Sequence, residues 1–284
     1  MPNPFTTGGV AVITGAASGI GRAAAQRAAS SGMKLALVDI NDAKLQATAA
    51  ELRQLAGADN VVAIVVDVGG FQPMQDFART VIDRFGSPTL LMNNAAAFVA
   101  GGAGGILDPN ENWRRVFEVN VLGVVNGVQA FLPAMLASPS RAFIVNTGSK
   151  QGLTNPPGNP AYNTSKAAVN AFTQNLARDV RDRAGSAVTA HLLVPGWTTT
   201  GDAAPNPGAW LPGQVVDFMA DAIERDQFAI ICPDNETTTE TDRKRIYWNA
   251  LDLVLGRPAL SRWHKDYKQK FADFMARPLN LDEQ

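Results

Sequence analysis

Short apolar runs rich in β-branched residues alternate along the chain with longer stretches in which apolar positions recur every three or four residues. The first pattern predicts buried strands and the second predicts amphipathic helices, because side chains alternate faces in a strand but return to one face in a helix after about 3.6 residues. The predicted strands are residues 10–13, 34–38, 61–66, 89–92, 141–145, 187–194 and 228–231. The predicted helices are residues 19–31, 42–55, 72–85, 111–137 and 161–183.

Strands that are apolar along their whole length and separated by helices are typical of a parallel sheet covered on both faces. We therefore expect an α/β fold, with a doubly wound seven-stranded Rossmann sheet in residues 1–236 as a single domain. Residues 237–284 have a helical, charged pattern that includes Trp248 and Trp263. Arg257-Pro258 divides this segment into two predicted helices, because the residue before a proline disfavours the helical conformation. We expect it to be a helical extension packed on the same domain or on a neighbouring subunit.

Two irregular stretches follow predicted strands, the glycine-rich residues 98–109 and the proline- and glycine-rich residues 198–213. Ligands bind beyond the carboxyl ends of the strands in open α/β sheets, so both stretches are predicted walls of a binding site, although flexible connections have the same composition. The run of glycines within residues 101–105 is not expected to bind phosphate. It lies past its strand and precedes Pro109, so it lacks the strand–turn–helix context of a phosphate loop.

Charge and cysteine content argue against several classes of function. Lys and Arg number 25 against 26 Asp and Glu, a net charge of -1, so no basic excess is present to bind a nucleic acid. Cys232 is the single cysteine and His191 and His264 lie far apart, so we expect neither an intrachain disulfide nor a metal site. Residues 1–10 lack the regions of a signal peptide, and the longest apolar runs are strand-sized. These features predict a cytoplasmic protein that does not interact with membranes.

A glycine-rich turn joins the first predicted strand to the first predicted helix. Gly15, Gly19 and Gly21 are spaced Gly-x-x-x-Gly-x-Gly, with Ser18 and Ile20 between them. A dinucleotide pyrophosphate needs a tight turn, a closely approaching backbone and the free N–H groups of a helix start, and this sequence can supply all three. A βα turn that is rich in glycine for packing alone is the alternative interpretation.

Residues at the ends of the next three strands suit the rest of such a cofactor. Asp39 lies 18 residues after the last glycine of the turn, where a carboxylate can accept both hydroxyls of the adenosine ribose and repel a 2′-phosphate. This placement predicts NAD rather than NADP. Asp67 and Val68 can contact the adenine, although an acid there can also simply cap the strand. Asn94 and Ala95 are small enough to let a ribose lie against the backbone.

Candidate reacting groups follow the fifth strand. Tyr162 and Lys166 lie four residues apart, which places them on one face of a predicted helix, although an exposed Tyr and Lys at a helix start would have the same spacing. Lowering the pKa of a tyrosine by about three units takes roughly 4 kcal/mol, which close positive charges can supply. Ser149 lies thirteen residues before Tyr162, and Asn120 is a polar residue in an otherwise apolar helix, where it can also serve only to satisfy a carbonyl. A hydrolase nucleophile turn around Ser149 is disfavoured, because it needs glycine where this chain has Thr147.

The order and spacing of these features resemble the short-chain dehydrogenase/reductase family over about residues 8–232. The matching features are the glycine-rich turn, Asn93-Asn94-Ala95, Asn120, Ser149, Tyr162-x-x-x-Lys166 and Pro195-Gly196. The resemblance implies an NAD-dependent oxidoreductase that transfers a hydride between a secondary alcohol or ketone and the nicotinamide. It implies that Tyr162 is the general acid/base and that Ser149 orients the substrate oxygen. It also implies that Lys166 holds the nicotinamide ribose and lowers the pKa of Tyr162, while Asn120 anchors a water.

The resemblance has further implications and some departures. It implies that Pro195, Gly196, Thr198 and Thr200 contact the nicotinamide, and that residues 111–137 and 161–183 form a homodimer or homotetramer interface. The chain has Gly148 where the family often has serine and alanine at position 96 where it usually has glycine, and both differences can reshape the pocket. Residues beyond 232 match nothing in the common core of the family.

The substrate is predicted only as a small alcohol or ketone, with aromatic compounds among the candidates. The candidate pocket residues are Ala96, Phe98, Lys150, Trp197 and Trp210. The aromatic ones can also serve as core or lid packing, and Lys150 can bind an anionic substrate or be a solvated loop lysine. A non-catalytic NAD(H)-sensing protein on the same scaffold is the alternative function. Such a protein has no need of all four reacting residues, so the enzyme is the preferred hypothesis.

Overall fold

The computed structural model describes residues 3–98, 105–200, 204 and 206–279. The strands are β1 (Val10–Thr14), β2 (Lys34–Asp39), β3 (Val61–Val65), β4 (Leu90–Asn93), β5 (Ala142–Thr147), β6 (Val188–Val194) and β7 (Ala229–Ile231). The helices are α1 (Gly19–Ser30), α2 (Asp42–Ala56), α3 (Phe71–Phe85), α4 (Asn110–Phe117), α5 (Gly123–Ala137), α6 (Gln151–Thr154), α7 (Pro160–Arg181), α8 (Pro212–Glu224), α9 (Thr239–Val254) and α10 (Lys268–Ala276). The strands form one sheet in the order β3-β2-β1-β4-β5-β6-β7 and every pair is parallel. The predicted doubly wound seven-stranded sheet is confirmed.

Alternate residues of β1 enter two different core layers, as the pleat of a strand requires. Ala11 and Ile13 belong to the layer packed against α1, α2 and α8, and Val10 and Val12 belong to the layer packed against α3, α5 and α7. The sheet is therefore buried on both faces. This arrangement explains why its central strands are apolar without alternation.

The connection between β6 and β7 contains a helix that the sequence analysis did not predict. Parallel strands need a crossover, and α8 supplies it. The helix begins at Pro212, where the missing N–H and the fixed φ suit a first helical turn, and it buries Val215 and Met219. Because the residues before α8 are rich in proline and glycine, the sequence analysis predicted an irregular stretch over residues 198–213 and did not recognise the start of the helix. The glycine-rich run at 101–104 lies outside the described residues.

The predicted long helix over residues 111–137 is present but interrupted. A π-helical turn, Glu118–Leu122, separates α4 from α5. Taken together, Asn110–Ala137 is the one helical stretch among the described residues that is long and apolar enough to cross a membrane, contrary to the expectation that every apolar run is strand-sized. Half of its apolar window is buried in the protein, where Phe131 and Met135 pack into the core. A core helix passes the same test of length and composition, so this finding is weak evidence for a membrane span.

The C-terminal extension contains the two helices predicted on either side of Arg257-Pro258. Trp248 is at the centre of a small core, with the rings of Phe271 and Phe274 at centroid distances of 5.3 and 5.2 Å. Its indole N–H donates to Ser261 Oγ at 2.8 Å, and the Arg257 guanidinium lies 4.5 Å from its ring centroid. The extension is thus an ordered structure with its own aromatic packing.

Burial of the extension is uneven. We expect its apolar side chains to be costly to leave in water. Trp248 follows that expectation, but Leu253, Val254 and Leu255 at the end of α9 are exposed, Leu253 by 86%. Burial differs between the faces of α9, because Asp252 is buried and Asn249 Nδ2 donates to the Leu153 carbonyl at 3.1 Å, whereas Leu253 and Val254 are exposed.

Candidate active site

The backbone of the glycine-rich turn is packed so closely that a side chain would not fit there. Gly15 and Gly19 have φ values of +65° and +53°, which glycine adopts without strain. A Cβ on Gly21 would lie 2.1 Å from the Gly15 carbonyl oxygen, so Gly21 is required by the close packing of the turn on α1. Gly19 opens α1, and the first N–H groups of that helix face the turn as the free donors that a pyrophosphate needs.

The end of β4 holds the glycine-rich turn in place. The N–H groups of Asn94 and Ala95 both donate to Thr14 Oγ, at 2.9 and 3.1 Å, and Asn94 Nδ2 donates to the Thr14 carbonyl at 3.3 Å. A Cβ on Gly15 would lie 2.9 Å from Ala95 Cα. The two segments predicted to contact the cofactor are therefore in direct contact with each other.

Asp39 lies at the carboxyl end of β2, beside the turn. One carboxylate oxygen accepts from the Ala17 N–H and the other from the Asn41 N–H, both at 3.0 Å. Each oxygen has a further lone pair, so the carboxylate is oriented by the backbone and can still accept from ribose hydroxyls. Asp39 and Gly15 border a cavity of about 160 Å³ with the predicted adenine contacts.

The predicted adenine contacts Asp67 and Val68 line that cavity, but Asp67 has an ionic partner that the sequence did not indicate. The carboxylate accepts from Arg115 Nη1 of α4 at 2.8 Å and from the Gly69 N–H at 3.0 Å. Arg115 also borders the cavity. The adenine end of the site thus has a neutralised acid and a guanidinium face, and its negative charge is concentrated at Asp39.

The main cavity, of about 570 Å³, lies at the carboxyl ends of β1, β4, β5 and β6. It brings together seventeen of the predicted site residues from all parts of the chain. They are Gly15, Ser18, Gly19, Ile20, Asn94, Ala95, Ala96, Phe98, Ser149, Lys150, Tyr162, Lys166, Pro195, Gly196, Trp197, Thr198 and Thr200. A larger groove of about 850 Å³ lies at the opposite end of the sheet. It is lined by none of the predicted site residues and by no comparable set of reacting side chains.

Tyr162, near the start of α7, is a buried member of the candidate reacting groups. Its side chain is 7% exposed, and Phe98 stacks on its ring with a centroid distance of 4.6 Å and an interplanar angle of 20°. Burial raises the pKa of Tyr162, and the neighbouring Ser149 hydroxyl acts in the opposite direction. The two side chains expected to contact a substrate oxygen therefore lie close together in the cavity.

Lys166 lies one turn along α7 and is fully buried. Its ammonium donates to the Thr147 carbonyl at 2.7 Å and lies 5.7 Å from the Tyr162 ring centroid. Burial lowers the pKa of Lys166 to about 8, so the group still carries its charge at neutral pH. The expected lowering of the pKa of Tyr162 by Lys166 is not seen in the protein by itself, because the cost of burying the phenolate dominates.

Asn120 occupies the π-helical turn between α4 and α5, and it is fully buried. Its Oδ1 accepts from the Ala97 N–H at 2.7 Å, and its Nδ2 donates to the Ala97 carbonyl and to Ser165 Oγ, both at 3.0 Å. Ser165 Oγ in turn donates to the Tyr162 carbonyl at 2.7 Å. Asn120 therefore lies behind the cavity and links its wall to α7. Such turns recur at functional sites because they redirect one side chain of a helix.

The segment after β6 closes the other side of the cavity. A Cβ on Gly196 would lie 2.6 Å from the Pro233 carbonyl oxygen, so this turn also requires a residue without a side chain. The Thr200 methyl group faces Gly19, since a Cβ added to Gly19 would lie 3.1 Å from the Thr200 methyl carbon. Thr200 thus bridges this segment and the glycine-rich turn, and Trp197 beside it is 49% exposed at the mouth of the cavity.

Trp210 was predicted to line the substrate pocket, but it does not border the cavity. Its backbone pairs with the segment after β6, where its N–H donates to the Trp197 carbonyl at 2.8 Å. Its ring instead packs on Phe218 of α8 at a centroid distance of 5.8 Å and against the core layer, and it does not border the cavity. The unpredicted α8 explains the error, because it supplies the apolar surface that the ring covers.

Lys150 is also placed differently from both sequence-based interpretations. It borders the cavity but is neither solvated nor free, since its side chain is 19% exposed. Its ammonium lies 3.0 Å from Asp234 Oδ2 and 2.6 Å from Asp242 Oδ2 of α9. Lys150 therefore ties the active-site loop after β5 to the C-terminal extension.

Six cavity residues were missed by the sequence analysis. Thr147, Gly148 and Gln151 flank Ser149 and Lys150, whereas Asp234, Thr237 and Arg245 follow β7, in the part of the chain that matches nothing in the common family core. Asp234 accepts from the Trp197 N–H at 3.0 Å, so it also fixes the segment after β6. The position of Asp234 at a strand end was a usable signal, but Arg245 reaches the cavity only through the docking of α9. Among the described residues, no group of acidic, histidine or cysteine side chains is placed to hold a metal ion.

Comparison with known proteins places this geometry in a family. The model of the short chain dehydrogenase family matches residues 9–207. A CLA biosynthesis dehydrogenase/reductase of Lactiplantibacillus plantarum is 32% identical over 191 residues, which is 67% of this chain and 65% of that protein. The chain therefore covers less than two thirds of that relative's length.

Solved structures extend the similarity beyond the matched core. A short-chain dehydrogenase/reductase from Burkholderia phymatum in complex with NAD is 35% identical, has a TM-score of 0.79, and is matched over 90% of this chain and 97% of its own. The L-sorbose reductase of Gluconobacter frateurii, complexed with NADPH and L-sorbose, is 25% identical with a TM-score of 0.69 over 78% of this chain and 91% of its own. Similar proteins thus bind NAD in one case and NADPH in another.

Proposed function

The chain belongs to the short chain dehydrogenase family of oxidoreductases, and we propose from this premise that it is an NAD-dependent enzyme acting on a secondary alcohol or ketone. The observation that supports the proposal most strongly is the shared cavity. Ser149, Tyr162 and Lys166 line one wall of it, and the glycine-rich turn lines another. The L-sorbose reductase named above reduces a ketone in its own site, which agrees with this substrate class.

The proposed roles follow from the contacts of each side chain. The cofactor, when bound, takes up or supplies the hydride. Tyr162 exchanges the hydroxyl proton of the substrate, and Ser149 lines the same cavity beside it, so that both hydroxyls can contact one substrate oxygen. Ser149 donates to that oxygen as negative charge develops on it. Lys166, held by the Thr147 carbonyl, presents its ammonium beside Tyr162 and the nicotinamide ribose.

In this proposal Asn120 acts by positioning other residues. It holds Ala97 and Ser165, and through Ser165 the first turn of α7 that contains Tyr162. It is also proposed to anchor a water that connects Lys166 to solvent. Gly15, Ser18, Gly19 and the residues at the ends of β2 to β4 are proposed to bind the pyrophosphate and the adenosine.

The direct test is a panel of secondary alcohols and ketones with NAD or NADH, followed by absorbance of the reduced cofactor. Turnover of at least one alcohol or ketone is expected. Tight NADH binding with no turnover of any member would contradict the proposal and favour the alternative, a non-catalytic NAD(H)-sensing protein. The cytoplasmic location remains a prediction from the sequence.

The C-terminal extension is proposed to help close the substrate cavity. Arg245 borders that cavity, and Lys150 bridges to Asp242. Deletion of residues 240–284 is expected to raise KM for the best substrate roughly tenfold, the equivalent of about 1.4 kcal/mol, without changing the affinity for NADH. Steady-state kinetics and NADH titration measure the two effects. A lower melting temperature with unchanged KM would leave the extension only a stabilising role.

A homodimer or homotetramer is proposed through α4, α5 and α7. On α7, Val169 and Leu176 face the core, whereas the small side chains of Ala167 and Ala171 are exposed on the other face. Small exposed side chains at helical spacing allow two helices to approach closely. Light scattering at micromolar concentration is expected to give the mass of two or four chains, and a monomer would contradict this interface.

A further inference from the structure

Arg245 contributes to the substrate cavity a positive charge that has no role in the proposed mechanism. It lies on α9 and borders the same cavity as Tyr162 and Ser149. Its Nε is buried and has no hydrogen-bond partner among the described residues. Its nearest acid is Asp242, at 3.6 Å from Nη1, which is too long for a hydrogen bond. Because its nearest acid lies beyond hydrogen-bond distance, the guanidinium of this cavity-lining residue keeps N–H donors for a further acceptor.

The acids around Arg245 are already engaged elsewhere. Asp242 is 2.6 Å from the Lys150 ammonium, and Asp234 accepts from Lys150 and from backbone N–H groups. Burial lowers the pKa of the Arg262 guanidinium, the nearby charge of Arg245 acts in the same direction, and Asp242 acts against both. Lys150 therefore has close contacts with both carboxylates, whereas the one ion pair of Arg245 among the described residues is the 3.6 Å contact with Asp242.

We propose that Arg245 binds a carboxylate of the substrate, so that the enzyme acts on a hydroxy acid or an oxo acid whose reacting carbon lies near Tyr162. The inference rests on the proposed function and names its substrate class. The N–H groups of a planar guanidinium fork donate to a carboxylate in bidentate geometry, and the carboxylate oxygens are the acceptors. Phe98 and Trp197 also line the cavity, which suits an apolar chain joining the carbinol carbon to the acid.

The first experiment compares short (ω−1)-hydroxyalkanoates of increasing length with their carboxamides, which keep the shape and remove the charge. Wild-type kcat/KM is expected to favour the acid over its amide by roughly ten- to a hundredfold, as for a charge-assisted bidentate pair. In Arg245→Gln this ratio is expected to fall to near one, and Arg245→Lys is expected to recover part of it because it keeps the charge without the fork.

Arg243→Gln is the matched control. Arg243 lies on the same helix, is exposed and does not border the cavity, so its loss removes the same charge and should keep the wild-type ratio. Because each ratio compares two substrates of one protein, a partly destabilised variant does not distort it. A wild-type ratio near one for every chain length, or an unchanged ratio in Arg245→Gln, would overturn the inference.

A binding measurement separates this inference from the proposed function. Calorimetric titration of the protein–NADH complex is expected to show binding of hexanoate, no binding of hexanamide, and loss of hexanoate binding in Arg245→Gln. Such binding without turnover of any alcohol would retain the anion site and reject the proposed activity. Turnover of alcohols with equal binding of the two probes would retain the activity and reject the anion site.

Discussion

Replacing Tyr162 by phenylalanine is expected to reduce kcat by at least about a hundredfold, and up to about ten-thousandfold, while NADH binding is retained. Positioned proton transfer contributes this range, and the phenyl ring lacks only the transferable proton. The packing should survive, because the stacking of Phe98 on this ring does not involve the hydroxyl. Steady-state kinetics with the best substrate and fluorescence titration of NADH measure the two properties.

The matched control for this variant is Tyr247→Phe. Tyr247 is on α9, stacked on Phe274 at a centroid distance of 6.2 Å, and does not border the cavity. Its variant should keep wild-type kinetics. If Tyr162→Phe retained more than about a tenth of the wild-type activity, another group would have to carry the proton, and the role assigned to Tyr162 would be wrong.

Much of the fold was predictable because its signals are local. The apolar runs of β1, β4 and β5 are buried on both faces of the sheet, and a strand in that position has no reason to alternate. The π-helical turn at Asn120 was not predictable, since its residues have ordinary helical composition. What the sequence did show was the polar side chain that the turn serves. The unpredicted α8 did have local signals, since apolar residues at helical spacing, such as Val215 and Met219, follow Pro212, and the parallel pairing of β6 with β7 requires a crossover there.

In the candidate site, too, the residues with local sequence signals were predictable and those placed by tertiary contacts were not. The residues at strand ends and in the glycine-rich turn were predictable, because topology brings the ends of parallel strands to one edge. The contacts made by the C-terminal extension were not, because they depend on how α9 docks. Lys150 shows the difference: a lysine beside Ser149 was visible in the sequence, but its ion pairs with Asp234 and Asp242 join residues more than eighty positions apart.

The carboxylate of Asp39 is expected to favour NAD over NADP by about 30- to 1,000-fold in kcat/KM. Its two oxygens are fixed by the N–H groups of Ala17 and Asn41 at the end of β2, so the charge cannot easily turn away from a ribose 2′-phosphate. Repulsion between those charges amounts to roughly 2–4 kcal/mol at an effective dielectric constant near 20, before salt screening. Nearby, the guanidinium of Arg22 is paired with Glu51 at 2.5 Å, which weakens its ability to neutralise a phosphate.

Solved relatives that bind NAD and NADPH make this a decisive comparison. Asp39→Ala is expected to narrow the preference by raising kcat/KM with NADP, and the effect should shrink as ionic strength increases because the repulsion is screened. Asp42→Ala is the control, since Asp42 is an exposed acid in the first turn of α2 and its loss removes the same charge three residues away. Steady-state kinetics with both cofactors at two salt concentrations measure the ratio. Equal or better kcat/KM of the wild type with NADP would reject the assignment, and an equal response of the two variants would assign the effect to net charge rather than to the position of Asp39.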